Sequence, residues 1–458
     1  MRMIKTNPSN CLRMALLAMA AIVLAPGVSR AVPSFARQTG LSCEACHTEF
    51  PVLTDFGRDF KLNGYTMSTG ATDLPPLAVM LQPSFTQTNQ QQVGGAGPHF
   101  GPNSNVAITQ ASFFYSGRLF GPYTNLLMGD NGLTQFLNKF GIFSQTTYDG
   151  IARELHWDNT ELRYADSGTV FGKPISYGAY VNNNPTMDDL WNTTPAWGYP
   201  FSSSGLAPTP EASTLIEGGL AQQVIGLGVY AMYDQSYYLS LGGYHTLDTG
   251  FQRAMGISTD GETQIPGVAP YWRLAYTKSA GNHSLEVGMF GLDADDYPGR
   301  VNTDGMDHMV DLGVDSEYQT SIGKNGFTGL VSLIHEWDKF DASQALGNST
   351  NKEDNLWSFR GTVDYLYDET YGFTVSYFLI NGRRDYLLYA SGPNGSPETD
   401  GVTLQLNYLP FNNSGGPSFW PKSNVKFSIQ YVIYNRFDGT HYQASNNNTL
   451  YVETWIAF

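Results

Sequence analysis

The chain has 458 residues, with 41 acidic against 25 basic side chains and a formal net charge of −16. That balance excludes nucleic acid as a partner, because phosphate binding needs a basic surface, and three cysteines exclude a disulfide scaffold. Charged residues are only 14% where soluble chains carry about 25%, and 41% hydrophobic with 14% aromatic residues excludes a disordered chain.

Residues 1–31 read as a secretory signal peptide. Arg2, Lys5 and Arg13 form a basic flank, Met14 to Ala25 an apolar core of 12 residues, and Ser29 and Ala31 a small-x-small cleavage pattern. The alternative, an N-terminal membrane anchor, fits less well, since a spanning helix needs about 20 apolar residues. Cleavage after Ala31 removes Arg2, Lys5, Arg13 and Arg30 and no acidic residue, so the net charge moves from −16 to −20. Cys11 leaves too. No later run of about 20 apolar residues follows, so any membrane crossing must be by strands.

Residues 32–75 carry the one motif with chemistry. Cys43-Glu-Ala-Cys46-His47 is a CxxCH. Two thiols at this spacing can each add to a haem vinyl group, and the next imidazole reaches the iron from one side. The reading is therefore one covalently bound haem c, with Cys43 and Cys46 as attachments and His47 as proximal ligand. A redox dithiol is the alternative. A zinc site is weaker, because no second cysteine pair exists. Some forty residues cannot enclose a haem alone, so the segment is expected to be buried in or against the rest of the chain. Phe50 to Leu62 reads as a short helix with Thr54 as N-cap, and Phe50, Leu53, Phe56 and Phe60 form its apolar face. Arg37, Arg58 and Lys61 are candidates to pair with haem propionates or with carboxylates of a barrel lumen. Met67, the nearest methionine after the motif, is a candidate distal ligand. Its rivals are His99, His156, His245, His283, His308, His335 and His441, or an open position.

Residues 76–458 alternate. Val402, Leu404, Leu406 and Tyr408 point one way, and Thr403, Gln405 and Asn407 the other. Val425, Phe427, Ile429 and Tyr431 alternate with Lys426, Ser428 and Gln430. Period two with one apolar face is a strand. Small polar residues on the second face suit a lumen better than a soluble exterior. Sixteen strands are predicted: 77–87, 105–119, 137–148, 154–165, 173–182, 219–232, 235–246, 266–278, 282–291, 305–320, 324–338, 353–368, 370–381, 401–411, 423–437 and 447–458. An even count suits a bacterial outer-membrane barrel. Short turns near Asp234, Ser279 to Gly281 and Glu369 alternate with longer polar segments. Residues 183–218 form the longest predicted external loop, with the length to fold inward. Asp293, Asp295, Asp296, Asp304 and Asp307 gather in another predicted loop, most simply a solvated acidic surface and alternatively a carboxylate site for Fe(II), Ca(II) or Mg(II). Tyr408, Phe411 and Trp420 suit interfacial girdles, and Phe458 ends a closing strand.

The fold class is therefore all-β: a transmembrane antiparallel barrel of about 16 strands with a small N-terminal c-type cytochrome plug. The stretch Ala31 to Gly40, then Cys43 to His47, Phe50-Pro-Val-Leu53, Phe56-Gly-Arg58 and Phe60 to Tyr65 resembles the start of the fused monohaem cytochrome–porins. That resemblance implies an outer-membrane porin holding a cytochrome plug, with the N-terminus on the periplasmic side or in the lumen. It implies electron transfer from extracellular Fe(II), or another donor, to a periplasmic carrier, a cytochrome or copper protein. Leu41 stands where iron-oxidising members often carry an aromatic, which weakens the iron assignment and leaves the haem assignment intact. The alternatives are electron export to an extracellular acceptor, and a diffusion porin whose haem is structural or regulatory. No hydrolytic or group-transfer site is seen.

Overall fold

The computed structural model describes residues 34–69, 75–121, 123–194, 202–259, 264–412 and 423–458. The expected signal peptide, Trp420 and most of the 412–422 connection lie outside the described residues.

The alternating residues build sixteen antiparallel strands. They are β1 (Leu77–Thr88), β2 (Asn105–Arg118), β3 (Phe140–Asp149), β4 (Glu154–Val170), β5 (Lys173–Asn182), β6 (Val224–Tyr233), β7 (Tyr237–Thr246) and β8 (Ala269–Ala280). Then come β9 (His283–Asp296), β10 (Asp307–Ile322), β11 (Asn325–Lys339), β12 (Glu353–Tyr367), β13 (Tyr371–Gly382), β14 (Thr399–Tyr408), β15 (Asn424–Arg436) and β16 (Thr449–Ala457). Each pairs with its sequence neighbours, and β16 returns to β1 to close the barrel. The Val79 and Phe458 backbones exchange the last hydrogen bonds of the seam, at 2.6 and 2.9 Å. Closure leaves no unpaired edge.

The two faces are the inverse of a soluble protein. Leu227, Val229, Val287, Val314, Val363, Leu406 and Ile429 stand exposed on the outside. Thr403, Gln405, Asn407, Lys426, Ser428 and Gln430 are buried on the inside, as their alternation predicts. An exposed apolar belt on a closed barrel is a surface for lipid. His335 belongs to that outer face, where it packs between Trp337 and Trp357 with ring centroids 3.9 Å away. Tight turns hold Asp234 with Gln235, and Asp368 with Glu369, at positive φ, a conformation short polar side chains tolerate best.

The inner wall carries flat-lying rings. A Cβ at Gly228 would lie 2.2 Å from the Tyr180 ring, so only glycine admits that ring against β6. Gly228→Val should therefore push Tyr180 off the wall and cost about 1–3 kcal/mol, the usual cost of overpacking. The check is the temperature at which the folded barrel loses its compact migration in detergent gels. An unchanged temperature would mean that the ring relocates freely.

Two segments lie inside the barrel against its inner wall. The first is residues 34–69, with helices α1 (Ser34–Thr39), α2 (Cys43–Cys46) and α3 (Asp55–Leu62). Thr54 caps α3 as expected, its side chain accepting from the Gly57 N–H at 3.1 Å. The helix starts at Asp55 rather than Phe50, because residues 48–53 make a reversed turn closed by a bridge between His47 and Leu53. The second is the loop between β5 and β6, residues 183–223, which does fold inward. Its described parts reach β1 through Ser204 and Thr86 at 2.5 Å, β15 through the Ser202 carbonyl and Gln430 at 2.9 Å, and β10 through the Ile216 N–H and Asp311 at 2.8 Å. β6 consequently begins at Val224 and not near 219.

The acidic loop expected near 292–304 is corrected. β9 extends to Asp296 and β10 starts at Asp307, so strand alternation splits the aspartates between faces. Asp293 and Asp295 face outward around His308, 3.7 and 2.9 Å from its Nδ1. Asp296 and Asp307 sit opposite each other, buried on the inner face. Only Asp304 remains in an exposed connection.

Candidate functional site

The CxxCH turn is held by its own backbone. The His47 N–H donates to the Cys43 carbonyl at 2.9 Å, and the Thr54 N–H to the Cys46 carbonyl at 2.9 Å. The Thr54 hydroxyl donates to the Ala45 carbonyl at 2.7 Å. Helix α3 crosses so close that a Cβ on Gly57 would fall 2.2 Å from the Cys46 oxygen. Phe35 stacks on Tyr65 at 5.5 Å and meets the edge of Phe60 at 4.9 Å. These rings make the apolar floor beside the motif.

Basic and acidic side chains dock the segment on the wall. Arg58 pairs with Asp55 and with Glu317 of β10, and donates to Ser284 of β9 at 3.0 Å. Lys61 Nζ donates to the Asp189 carbonyl of the inward loop at 2.6 Å. Tyr65 donates to Glu161 of β4 at 2.9 Å. Lys426 of β15 donates to the Phe50 carbonyl at 3.0 Å and lies 3.5 Å from Glu49. Arg37 instead donates to the Pro75 and Leu77 carbonyls at the start of β1. Of the three bases predicted to find lumen carboxylates or propionates, Arg58 thus reaches carboxylates, while Lys61 and Arg37 reach carbonyls.

Between this segment, the wall and the inward loop lies a cavity of about 910 Å³. That is within the roughly 300–1,000 Å³ range of cofactor pockets. Cys43, Cys46 and His47 all line it, with Phe35, Phe60 and Tyr65 beside them. The inward loop contributes Met187 and Asn192, and the wall contributes Met80 and Phe359. Forty residues alone could not bound such a space; the barrel supplies the remaining sides.

The donor set fits a haem c. Neither Cys43 nor Cys46 is in a disulfide. His47 Nδ1 is buried without a hydrogen-bond partner, and burial pushes its imidazole down to about 4, so the ring is neutral, the form that binds metal. Burial, with Cys43 and Glu44 nearby, pushes the Cys46 thiol up to about 11. Among the described residues no group of three or more His, Cys, Asp or Glu forms a ready-made shell for a free metal ion.

Met67 is not among the residues lining the cavity, and neither is any histidine other than His47. The methionines that do line it are Met80 and Met187, neither singled out from the sequence. Met80 had a signal: it shares the inner-face register of Gln82, Ser84 and Thr86, where an apolar residue breaks the pattern. Met187 had none, since its loop has no period.

No family model and no curated protein matches the chain. Solved structures similar in outline include an anion-selective porin from Comamonas acidovorans, at 10% identity and a TM-score of 0.45, covering 83% of this chain and 98% of that one. The outer membrane channel DcaP of Acinetobacter baumannii gives the same identity and score over 83% and 96%. A loop-deletion mutant of OmpT, an outer membrane protein of Vibrio cholerae, gives 10% and 0.41 over 83% and 98%. At this similarity they say nothing of what this chain binds or passes.

Proposed function

We propose that the chain is an outer-membrane cytochrome–porin that carries one haem c on Cys43 and Cys46, with His47 as proximal ligand, and conducts electrons across the membrane. The observation that carries this reading is the placement of a CxxCH turn on the wall of a cofactor-sized cavity inside a closed barrel. When bound, a haem c supplies a one-electron couple whose potential follows its axial ligands, burial and hydrogen bonds. Cys43 and Cys46 fix the position and His47 presents a neutral ring. Met80 or Met187 are better placed than Met67 to offer a thioether. The inward loop and the aromatic rings supply part of the cavity wall. One electron leaves a donor, extracellular Fe(II) or another reductant, and one arrives at a periplasmic cytochrome or copper protein; no chemical group moves. Electron export to an extracellular acceptor is the same machinery run backwards, with the direction set by the partners' potentials.

A second reading is favoured by the sixteen-strand porin-type architecture itself: a diffusion porin with a structural or regulatory haem. Against it stand the two segments that cross the lumen. The test is anaerobic stopped-flow mixing of the oxidised, haem-loaded protein with Fe(II), following the haem absorbance. Fast reduction supports Fe(II) as donor. Absence of reduction in a sample that dithionite still reduces removes Fe(II) as substrate. Sugar or ion flux through liposomes carrying the protein, at porin-like rates, would move the assignment to the diffusion reading.

A further inference from the structure

One end of the barrel carries the tight turns. Residues 171–172, 234–236, 281–282, 323–324 and 368–370 each join two strands there. The connection from β2 to β3 lies at the same end and is far longer, residues 119–139. It folds into two short helices, α4 (Tyr123–Met128) and α5 (Gly132–Leu137). Asn131 caps α5 by accepting from the Thr134 N–H at 3.1 Å, and the Thr134 hydroxyl donates to the Gly129 carbonyl at 2.7 Å. Thr134 is thereby buried, whereas Met128, Leu133 and Phe136 are 52%, 57% and 49% exposed. Leu133 and Phe136 are three apart and share one face of α5. Asp130 and Lys139 are the only charged residues between 119 and 139.

This apolar face is continuous with the lipid belt. Outer-face aromatic side chains pair round the tight-turn end: Tyr237 with Tyr276 at 5.3 Å, Phe327 with Tyr365 at 5.0 Å, and Tyr371 with Tyr408 at 5.4 Å between ring centroids. Such a girdle marks the headgroup level of a membrane barrel. Phe140 of β3 and Tyr164 of β4 stand across from each other in the same girdle, alternating with the buried inner-face Gly141 and Arg163. Phe136 of α5 packs on both, with centroids at 5.2 and 6.0 Å. Helix α5 thus extends the girdle beyond the last residues of the strands. A soluble partner is steered by complementary charge, and residues 119–139 offer one acid and one base. An exposed apolar face rooted in the girdle matches a bilayer surface instead.

We propose that the α4–α5 connection is an in-plane membrane anchor, lying on the lipid leaflet at the tight-turn end with Leu133 and Phe136 among the acyl chains. Tight turns of outer-membrane barrels face the periplasm, so the lipid is the phospholipid of the inner leaflet. Gln135, about half a turn from Leu133 on α5, faces the headgroups or water. The root of the anchor also holds the N-terminal segment. The Arg118 N–H donates to Gln38 at 2.9 Å, and the Arg118 side chain donates to the Thr66 carbonyl at 2.8 Å. The anchor therefore sets the height in the membrane of the barrel end on which that segment docks. It does not depend on the haem reading.

The test places a nitroxide label in Leu133→Cys, Phe136→Cys, Gln135→Cys and Tyr442→Cys. Tyr442 is exposed in the β15–β16 loop at the opposite end. Each full-length variant is reconstituted in vesicles of phosphatidylethanolamine and phosphatidylglycerol, and the native chain labelled in parallel gives the background from its own cysteines. Electron paramagnetic resonance power saturation then compares collisions with oxygen, which concentrates in lipid, and with a water-soluble nickel chelate. The labels at 133 and 136 should collide more with oxygen than with nickel, at a depth of about 5–10 Å. The labels at 135 and 442 should show the reverse. All four side chains are exposed, so the variants should keep the compact migration of the folded barrel in detergent gels. Nickel-dominated collisions at both 133 and 136 would put the face in water and overturn the proposal. Protection of both from either reagent would put it in a contact with a second copy or a partner protein, which overturns the proposal equally.

Discussion

The Cys43→Ala/Cys46→Ala variant should lose covalent haem completely while keeping a folded barrel. Of the three cysteines, Cys11 lies in the expected signal peptide, so Cys43 and Cys46 are the pair proposed to make the thioether bonds, and haem retained through denaturing electrophoresis should fall to background. The barrel should survive because its closure rests on the strand ladder from β1 round to β16, and neither thiol lies in it. His47→Ala separates the roles. Attachment at both thiols can persist there, but the proximal nitrogen is gone, so the absorbance and reduction potential of the loaded protein should shift. Met80→Ala and Met187→Ala then identify the distal side: whichever supplies a thioether should lower the potential when removed, because a methionine ligand raises it. Haem staining undiminished in the double cysteine variant would sink the attachment assignment, and a barrel lost with the haem would show that the cofactor is needed for folding.

The strands were legible because their physics is local. A period of two with one apolar face survives in a single sequence, and β14 and β15 present the faces that Leu406 and Gln430 announce. Boundaries failed where a distant segment decides them. β9 runs on to Asp296 because its partner β10 continues to pair with it to Asp307, and no property of residues 292–296 alone says so. The CxxCH turn at Cys43, Cys46 and His47 was legible because its residues are adjacent in sequence. The cavity's other walls were not, since Met80, Met187 and Phe359 meet only when the barrel closes and the 183–223 loop turns inward. The facing carboxylates of the inner wall show the same limit. Asp311 and Glu336 are 25 positions apart, and only the strand register sets them face to face.

The largest stability effect should come from Arg273→Met. Arg273 is fully buried and faces Asp189, Glu286 and Asp315 within 2.6–3.3 Å, with Trp191 at 5.4 Å and Phe290 at 5.7 Å from its guanidinium. Removing one partner of a buried ion pair costs about 3–5 kcal/mol, because the remaining charge is left uncompensated. Here three carboxylates lose one shared base. Asp189 belongs to the inward loop and also bonds the Thr194 N–H at 3.0 Å and the Trp191 N–H at 2.9 Å, so the loop is where the strain should appear. Hydrogen exchange should accelerate over residues 183–194 while β8, β9 and β10 stay protected by their ladder. Arg273→Lys should recover only part of the loss, since an ammonium cannot bridge three carboxylates with a planar fork. Adding Asp189→Asn, Glu286→Gln and Asp315→Asn to Arg273→Met should restore much of it, because the repulsion is then gone. Native-like unfolding of Arg273→Met alone would mean that the carboxylates relax into water or share protons at little cost. Failure of the amide set to rescue would place the effect in lost packing against Trp191 and Phe290 rather than in charge.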